Sequence, residues 1–195
     1  MINVENLKDD GWLELADGSV TEIKEGDKFF IQSGTAEVVQ SGGYCCTRYG
    51  GTVNITQSGG ECGADYGGTL NNTQSGGKCW ALAGGTVNNT QSGGECWARN
   101  GGTLNNTQSG GECRAYKGGT VNNTQSGGKC WALAGGTVNN TQSRGVCGAV
   151  KGTVNNNQLG GTCWARDGGI VNNTLSGGIS WAYDGGTINH IANHS

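Results

Sequence analysis

KCWALAGGTVNNTQS, residues 78–92, recurs letter for letter at residues 129–143. Around these copies the same phrase returns with small changes, and the cysteines mark its period. Cys45, Cys62, Cys79, Cys96, Cys113, Cys130 and Cys147 follow at steps of 17, Cys163 after 16, and Ser180 after a further 17. An aliphatic position keeps the same step through Val53, Leu70, Val87, Leu104, Val121, Val138, Val154, Val171 and Ile188. The single short step comes from a glycine missing between Lys151 and Thr153. The consensus is G-G-T-[VL]-N-N-T-Q-S-G-G-x-C-W-A-x-x. Self-similarity at so short a fixed period marks a solenoid.

Each repeat has two halves that open on Gly-Gly, as at Gly84-Gly85 and Gly93-Gly94. Glycine tolerates positive φ and close backbone approach, so each pair reads as a turn. The segments between, T-V-N-N-T-Q-S and x-C-W-A-x-x, are strand length and leave no room for a helix. One coil is strand, turn, strand, turn, and coils stack about 4.8 Å apart. The expected fold is all-β: a parallel β-solenoid (β-helix) of tandem 17-residue coils, two short strands per coil joined by Gly-Gly turns. About 10 coils would make a rigid rod of roughly 50 Å.

The regular repeats span about 43–191. Gly18, Gly26, Gly34 and Gly42 fall every eight residues, so 18–43 reads as early, irregular coils of one solenoid domain, 18–195. Residues 1–17 read as an N-terminal cap in which Trp12, Leu13 and Leu15 cover the open end, since solenoids need atypical terminal units. The closing GGTINHIANHS begins a last coil, as a weak cap or as an open end that stacks on another molecule.

Composition agrees with a polar repeat. Glycine is 40 of 195 residues and proline is absent, while only 14% are charged, unlike a disordered chain. A net charge of −3 with no basic patch excludes nucleic-acid recognition. No apolar run approaches the length that spans a bilayer, so no membrane insertion is expected. MINVENLKDDGWLEL lacks the basic and apolar regions of a secretory signal, which leaves a cytoplasmic location open.

Alternation along a strand assigns the faces. Positions 53, 55 and 57 point inward, so most coils bury an asparagine (Asn72, Asn89, Asn106, Asn123, Asn140, Asn156, Asn173) and a glutamine. Buried amides are costly unless bonded, and stacked coils offer each one a partner above and below. In the other half-coil Cys and Ala point inward. The position between them, held by Gly63, Trp80, Trp97, Arg114, Trp131, Gly148, Trp164 and Trp181, points outward.

Three arrays are candidates for function. The first is an outward Thr/Asn grid: Thr52, Asn54, Thr56; Thr69, Asn71, Thr73; Thr86, Asn88, Thr90; Thr103, Asn105, Thr107; Thr120, Asn122, Thr124; Thr137, Asn139, Thr141. Threonine is also a good strand former whose ladders support a sheet. The second is an aromatic row, Trp80, Trp97, Trp131, Trp164 and Trp181, which either stacks on sugars or shields a thin core. The third is the cysteine column, Cys45, Cys62, Cys79, Cys96, Cys113, Cys130, Cys147 and Cys163. Stacking brings its members within disulfide range, but parallel Cβ vectors do not converge. The column therefore reads first as buried, inert thiols, with inter-coil disulfides as the alternative. Metal binding would need convergent ligands, and no C-x₂-C spacing occurs. Cys46, at the outward position beside Cys45, reads as an exposed reactive thiol or an intermolecular link.

Catalysis is not expected, and no cofactor is implied. His190 and His194 have no Ser/Asp constellation, and Glu61, Glu95, Glu112, Asp167 and Asp184 are scattered without a recurring acid–base pair.

The recurring Gly-Gly pairs and the segment Asn72-Thr73-Gln74-Ser75-Gly76-Gly77 resemble the AIDA-type repeat of bacterial autotransporter adhesin passengers, over roughly 34–191. The resemblance implies a right-handed β-helix displayed at the cell surface that mediates adhesion or aggregation. The expected function is thus a non-enzymatic structural or adhesive rod, with end-to-end self-association and a glycan or cell-surface ligand as its partners. The Thr/Asn grid also looks like the face of β-solenoid ice-binding proteins, which makes ice binding the alternative. A cytoplasmic self-assembling scaffold is the second alternative.

Overall fold

The computed structural model describes residues 4–7 and 11–190. Every regular element among them is a strand. The strands form two sheets, and from Leu13–Leu15 onward successive strands alternate between them. The chain is a parallel β-solenoid of about 10 coils. One sheet, here the Thr sheet, has eleven strands from Val20–Ile23 to Thr187–His190. The other, the Cys sheet, has twelve, from Val4–Leu7 to Ile179–Ala182.

Like stacks on like. Val87 lies between Leu70 and Leu104, and Asn88 between Asn71 and Asn105. Cys79 lies between Cys62 and Cys96. The short coil keeps this register, pairing Val138 with Val154, because its deletion falls in the turn between Val146–Val150 and Thr153–Gln158. A slip of one residue inside a strand would have reversed every side chain.

The Gly-Gly pairs divide their labour. After the Cys strand the left-handed pair is Ala83 (φ 43°) and Gly84 (φ 82°), closed by the Gly85 N–H donating to the Leu82 carbonyl at 2.7 Å. So the positive-φ pair there is not Gly-Gly itself. It is the preceding residue plus the first glycine, and Tyr49, Tyr66 and Asn100 take the same place in other coils. Gly85 serves packing, since a Cβ on it would collide with the carbonyl of Ala64 in the coil below.

The core is thin. Its aliphatic, Cys and Ala rows are fully buried, as at Val87, Cys96 and Ala98, and buried glutamines complete it. At the N-terminal end bulkier residues take over, with Leu15, Ile23, Phe29 and Ile31 all buried. There Val4–Leu7 pairs antiparallel with Leu13–Leu15 and ends the parallel stacking of the Cys sheet. The remainder of the proposed 1–17 cap, residues 1–3 and 8–10, lies outside the described residues. So do residues 191–195, which include His194 and most of the last predicted coil after His190.

Candidate functional site

The outer face of the Thr sheet carries three columns. Thr52, Thr69, Thr86, Thr103, Thr120 and Thr137 form the first and are half-buried. Thr56, Thr73, Thr90, Thr107, Thr124 and Thr141 form the third and are exposed. Between them runs the asparagine column, Asn54, Asn71, Asn88, Asn105, Asn122 and Asn139, continued by Asn155, Asn172 and Asn189. Neighbours stand about 4.8 Å apart along the rod and about 6.6 Å across it. Shallow open troughs follow the face, one of them lined by Asn122, Thr124, Asn139, Thr141 and Asn157. From Thr52 onward no charged side chain stands on this face among the described residues.

The asparagines are not free. Asn71 Nδ2 donates to Asn54 Oδ1 at 2.7 Å, Asn88 to Asn71 at 2.9 Å, and Asn105 to Asn88 at 3.0 Å. The same bond recurs up to Asn189, which donates to Asn172 at 2.8 Å. At the N-terminal end Asn54 donates to Glu37 Oε1 at 2.6 Å. Glu37 was not among the expected site residues. Its signal was present, because GTAEVVQ aligns with GTVNITQ and places Glu37 beneath Asn54.

Inside, the bonding differs from the expected like-with-like ladder. Asn89 Nδ2 donates to Gln74 Oε1 in the coil below at 3.2 Å, and the other six inner asparagines repeat this. Only Asn106 also reaches its own kind, donating to Asn123 Oδ1 at 3.2 Å. The glutamines turn their Nε2 outward to backbone, as Gln91 does to the Gly94 carbonyl at 2.8 Å. Cysteines join in: Cys113 donates to Gln91 Oε1 at 3.1 Å and accepts from Asn106 at 2.8 Å. The inner amides thus tie the two sheets and the turn together. The continuous ladder runs on the surface.

The aromatic row is broken and half-covered. Trp80, Trp97, Trp131 and Trp164 are half-buried, and only Trp181 is exposed. Gly63 and Gly148, expected at an outward position, are buried instead, because indoles lie over them. A Cβ on Gly148 would stand 2.5 Å from the Trp131 ring and 3.0 Å from Trp164. Those two rings meet at 5.0 Å. Trp80 lies over Gly63 and reaches Tyr44, itself in contact with Trp12 at 5.0 Å. Lys78 and Arg99 flank Trp97. Arg114 interrupts the row by bridging Glu112 at 2.8 Å and Glu95 at 3.5 Å. This is the packing of a sheet cover, braced by charges.

All eight column cysteines are fully buried. Cys79 and Cys96 are joined by a disulfide, with Cα atoms 4.7 Å apart. Parallel in-register strands therefore do admit the bond. Burial pushes Cys45 and Cys130 up to about 12. Cys46 is corrected: it is buried, not exposed. Its register neighbours are Phe30 and Gly63, the latter beneath the Trp80 indole, and its thiol donates to the Thr47 carbonyl at 3.8 Å. Among the described residues no group of three or more His, Cys, Asp or Glu is placed to hold a metal ion.

Family models, curated proteins and solved structures were compared with the chain, and none matches.

Proposed function

We propose that this solenoid is a non-catalytic structural rod of the adhesin type, with the uncharged Thr/Asn face as its binding surface. One observation carries the reading: the surface asparagine ladder holds that face in a single rigid arrangement over nine coils. A ligand that repeats along the rod would meet the same neutral group in every coil, so weak contacts add without fresh ordering cost. The absence of charge from the face favours a neutral polymer such as a glycan over a polyanion. The broken, half-covered tryptophan row makes the Cys sheet the less suited side. The resemblance to autotransporter passenger repeats points the same way, and end-to-end association of rods belongs to the same reading.

The test is retention on insoluble polysaccharides and on cells, comparing the native chain with Thr90→Lys/Thr107→Lys. Retention that the double substitution abolishes supports the reading. Equal retention of both proteins, or none of either, overturns it.

Ice binding is the second reading, favoured by the two threonine columns held at fixed separation by the ladder between them. It predicts faceted growth of a single ice crystal in the protein solution. Thr90→Tyr in the exposed column should remove the effect.

A further inference from the structure

We propose that the oxidised protein carries four disulfides that staple its coils in pairs, Cys45–Cys62, Cys79–Cys96, Cys113–Cys130 and Cys147–Cys163, leaving Cys46 as the one thiol. The phase follows from the bond already present. Cys79–Cys96 leaves two column cysteines on its N-terminal side and four on its C-terminal side. Both counts are even, so every remaining member has a partner. The opposite phase, 62–79, 96–113 and 130–147, would strand Cys45 and Cys163 and form one bond fewer.

The sulfurs of the other six column cysteines are unbonded, but the backbone register does not distinguish their three pairs from the formed one. Cys45 pairs in register with Cys62, Cys113 with Cys130, and Cys147 with Cys163, on the same parallel sheet as Cys79 with Cys96. The 16-residue coil does not disturb this, since Cys147 and Cys163 remain direct partners in register. Cys46 has no such neighbour, because the residues flanking it in register are Phe30 and Gly63. The odd total of nine cysteines is thereby accounted for.

Each bond joins two sulfurs and releases two protons and two electrons. The acceptor is a small disulfide such as oxidised glutathione. A cysteine thiolate attacks it and expels one glutathione thiolate. The neighbouring cysteine then attacks the mixed disulfide and expels the second. These steps precede coil closure, because in the closed rod every column sulfur is shut off from solvent and burial raises the thiols. Once closed, the staples are equally shut off from reductants. The redox state met during folding is therefore retained by the folded rod.

The sequence makes the phase readable by trypsin. Protein refolded from guanidinium in mixed oxidised and reduced glutathione is alkylated under denaturing conditions and digested. The proposed phase links peptide 29–48 to 49–78, 100–114 to 130–144, and 145–151 to 152–166. It also closes a loop inside 79–99, two hydrogens lighter, and leaves Cys46 alkylated. Cys163→Ser should release Cys147 as a second alkylated thiol without moving the other links. Links from 49–78 to 79–99 or from 130–144 to 145–151 overturn the proposal. So does alkylation of Cys45, Cys62, Cys113 and Cys130 beside an intact 79–99 loop.

Discussion

Ser180 stands where the preceding coils carry cysteine, and its hydroxyl donates to Gln158 Oε1 at 3.0 Å. Asn173 in turn donates to Ser180 Oγ at 2.9 Å. Cys113 makes the same pair of bonds with Gln91 and Asn106. The column position therefore selects a small side chain that both donates and accepts, and the thiol serves there as a buried hydroxyl substitute. In reduced protein Cys113→Ser should change stability by less than about 1 kcal/mol. Ser180→Val, which leaves Asn173 Nδ2 with Gln158 Oε1 as its one acceptor, should cost about 1–3 kcal/mol. Urea denaturation under reductant measures both.

The Glu37–Asn54 contact anchors the surface ladder. Replacing Asn54 by Asp removes the donor and sets two carboxylates face to face across adjacent strands. Like charges placed so cost roughly 0.5–1 kcal/mol. The penalty exists only while both groups are ionised, so it is present at neutral pH and fades as pH falls through the carboxylate range. Glu37→Gln keeps an acceptor for Asn54 and should be near neutral at either pH. Thermal melts of both variants at pH 7 and pH 4 test the sign.

Much of this was legible because solenoid rules are local. The 17-residue step set the register, and alternation set the inward faces at Val53, Ile55 and Gln57 and at Cys62 and Ala64. What the letters did not disclose was side-chain partnership. Inner and outer asparagines share one period, so periodicity alone does not tell a surface ladder from an interior one. The choice is made by Gln Oε1, which lies close enough to draw the inner amides away from each other. Cys46 was misplaced for a related reason. Its neighbour along the column is Gly63, and the absence of a side chain there lets the Trp80 indole fold over the sheet, which the letters do not show.

That same dependence makes Gly148 a sensitive position. It is the slot into which Trp131 and Trp164 converge, so a side chain there must push the indoles off the sheet. Gly148→Val should shift tryptophan emission to the red as the two rings gain water, while the β signal in circular dichroism persists. Gly84→Ala probes a different use of glycine. A Cβ at Gly84 meets nothing nearby, but its φ of 82° is strained for any other residue. This variant should destabilise by about 1–2 kcal/mol with unchanged emission.

Alkaline pH separates the reduced rod from a stapled one. Burial pushes Cys45 and Cys130 up to about 12 from an ordinary value of 9.0. Below about pH 9 both folded and unfolded chains keep these protons, and stability is at its full value. Between about 9 and 12 the unfolded chain gives up protons that the folded chain still holds, so stability falls as pH rises. The slope is about 1.4 kcal/mol per pH unit for each such thiol. Disulfide sulfurs do not titrate, so the oxidised rod lacks this contribution. Guanidinium midpoints at pH 7, 9 and 10.5, taken anaerobically with reductant and again after oxidation, should diverge only above pH 9. Parallel loss in the two forms would mean that ionisation of the column does not govern alkaline unfolding.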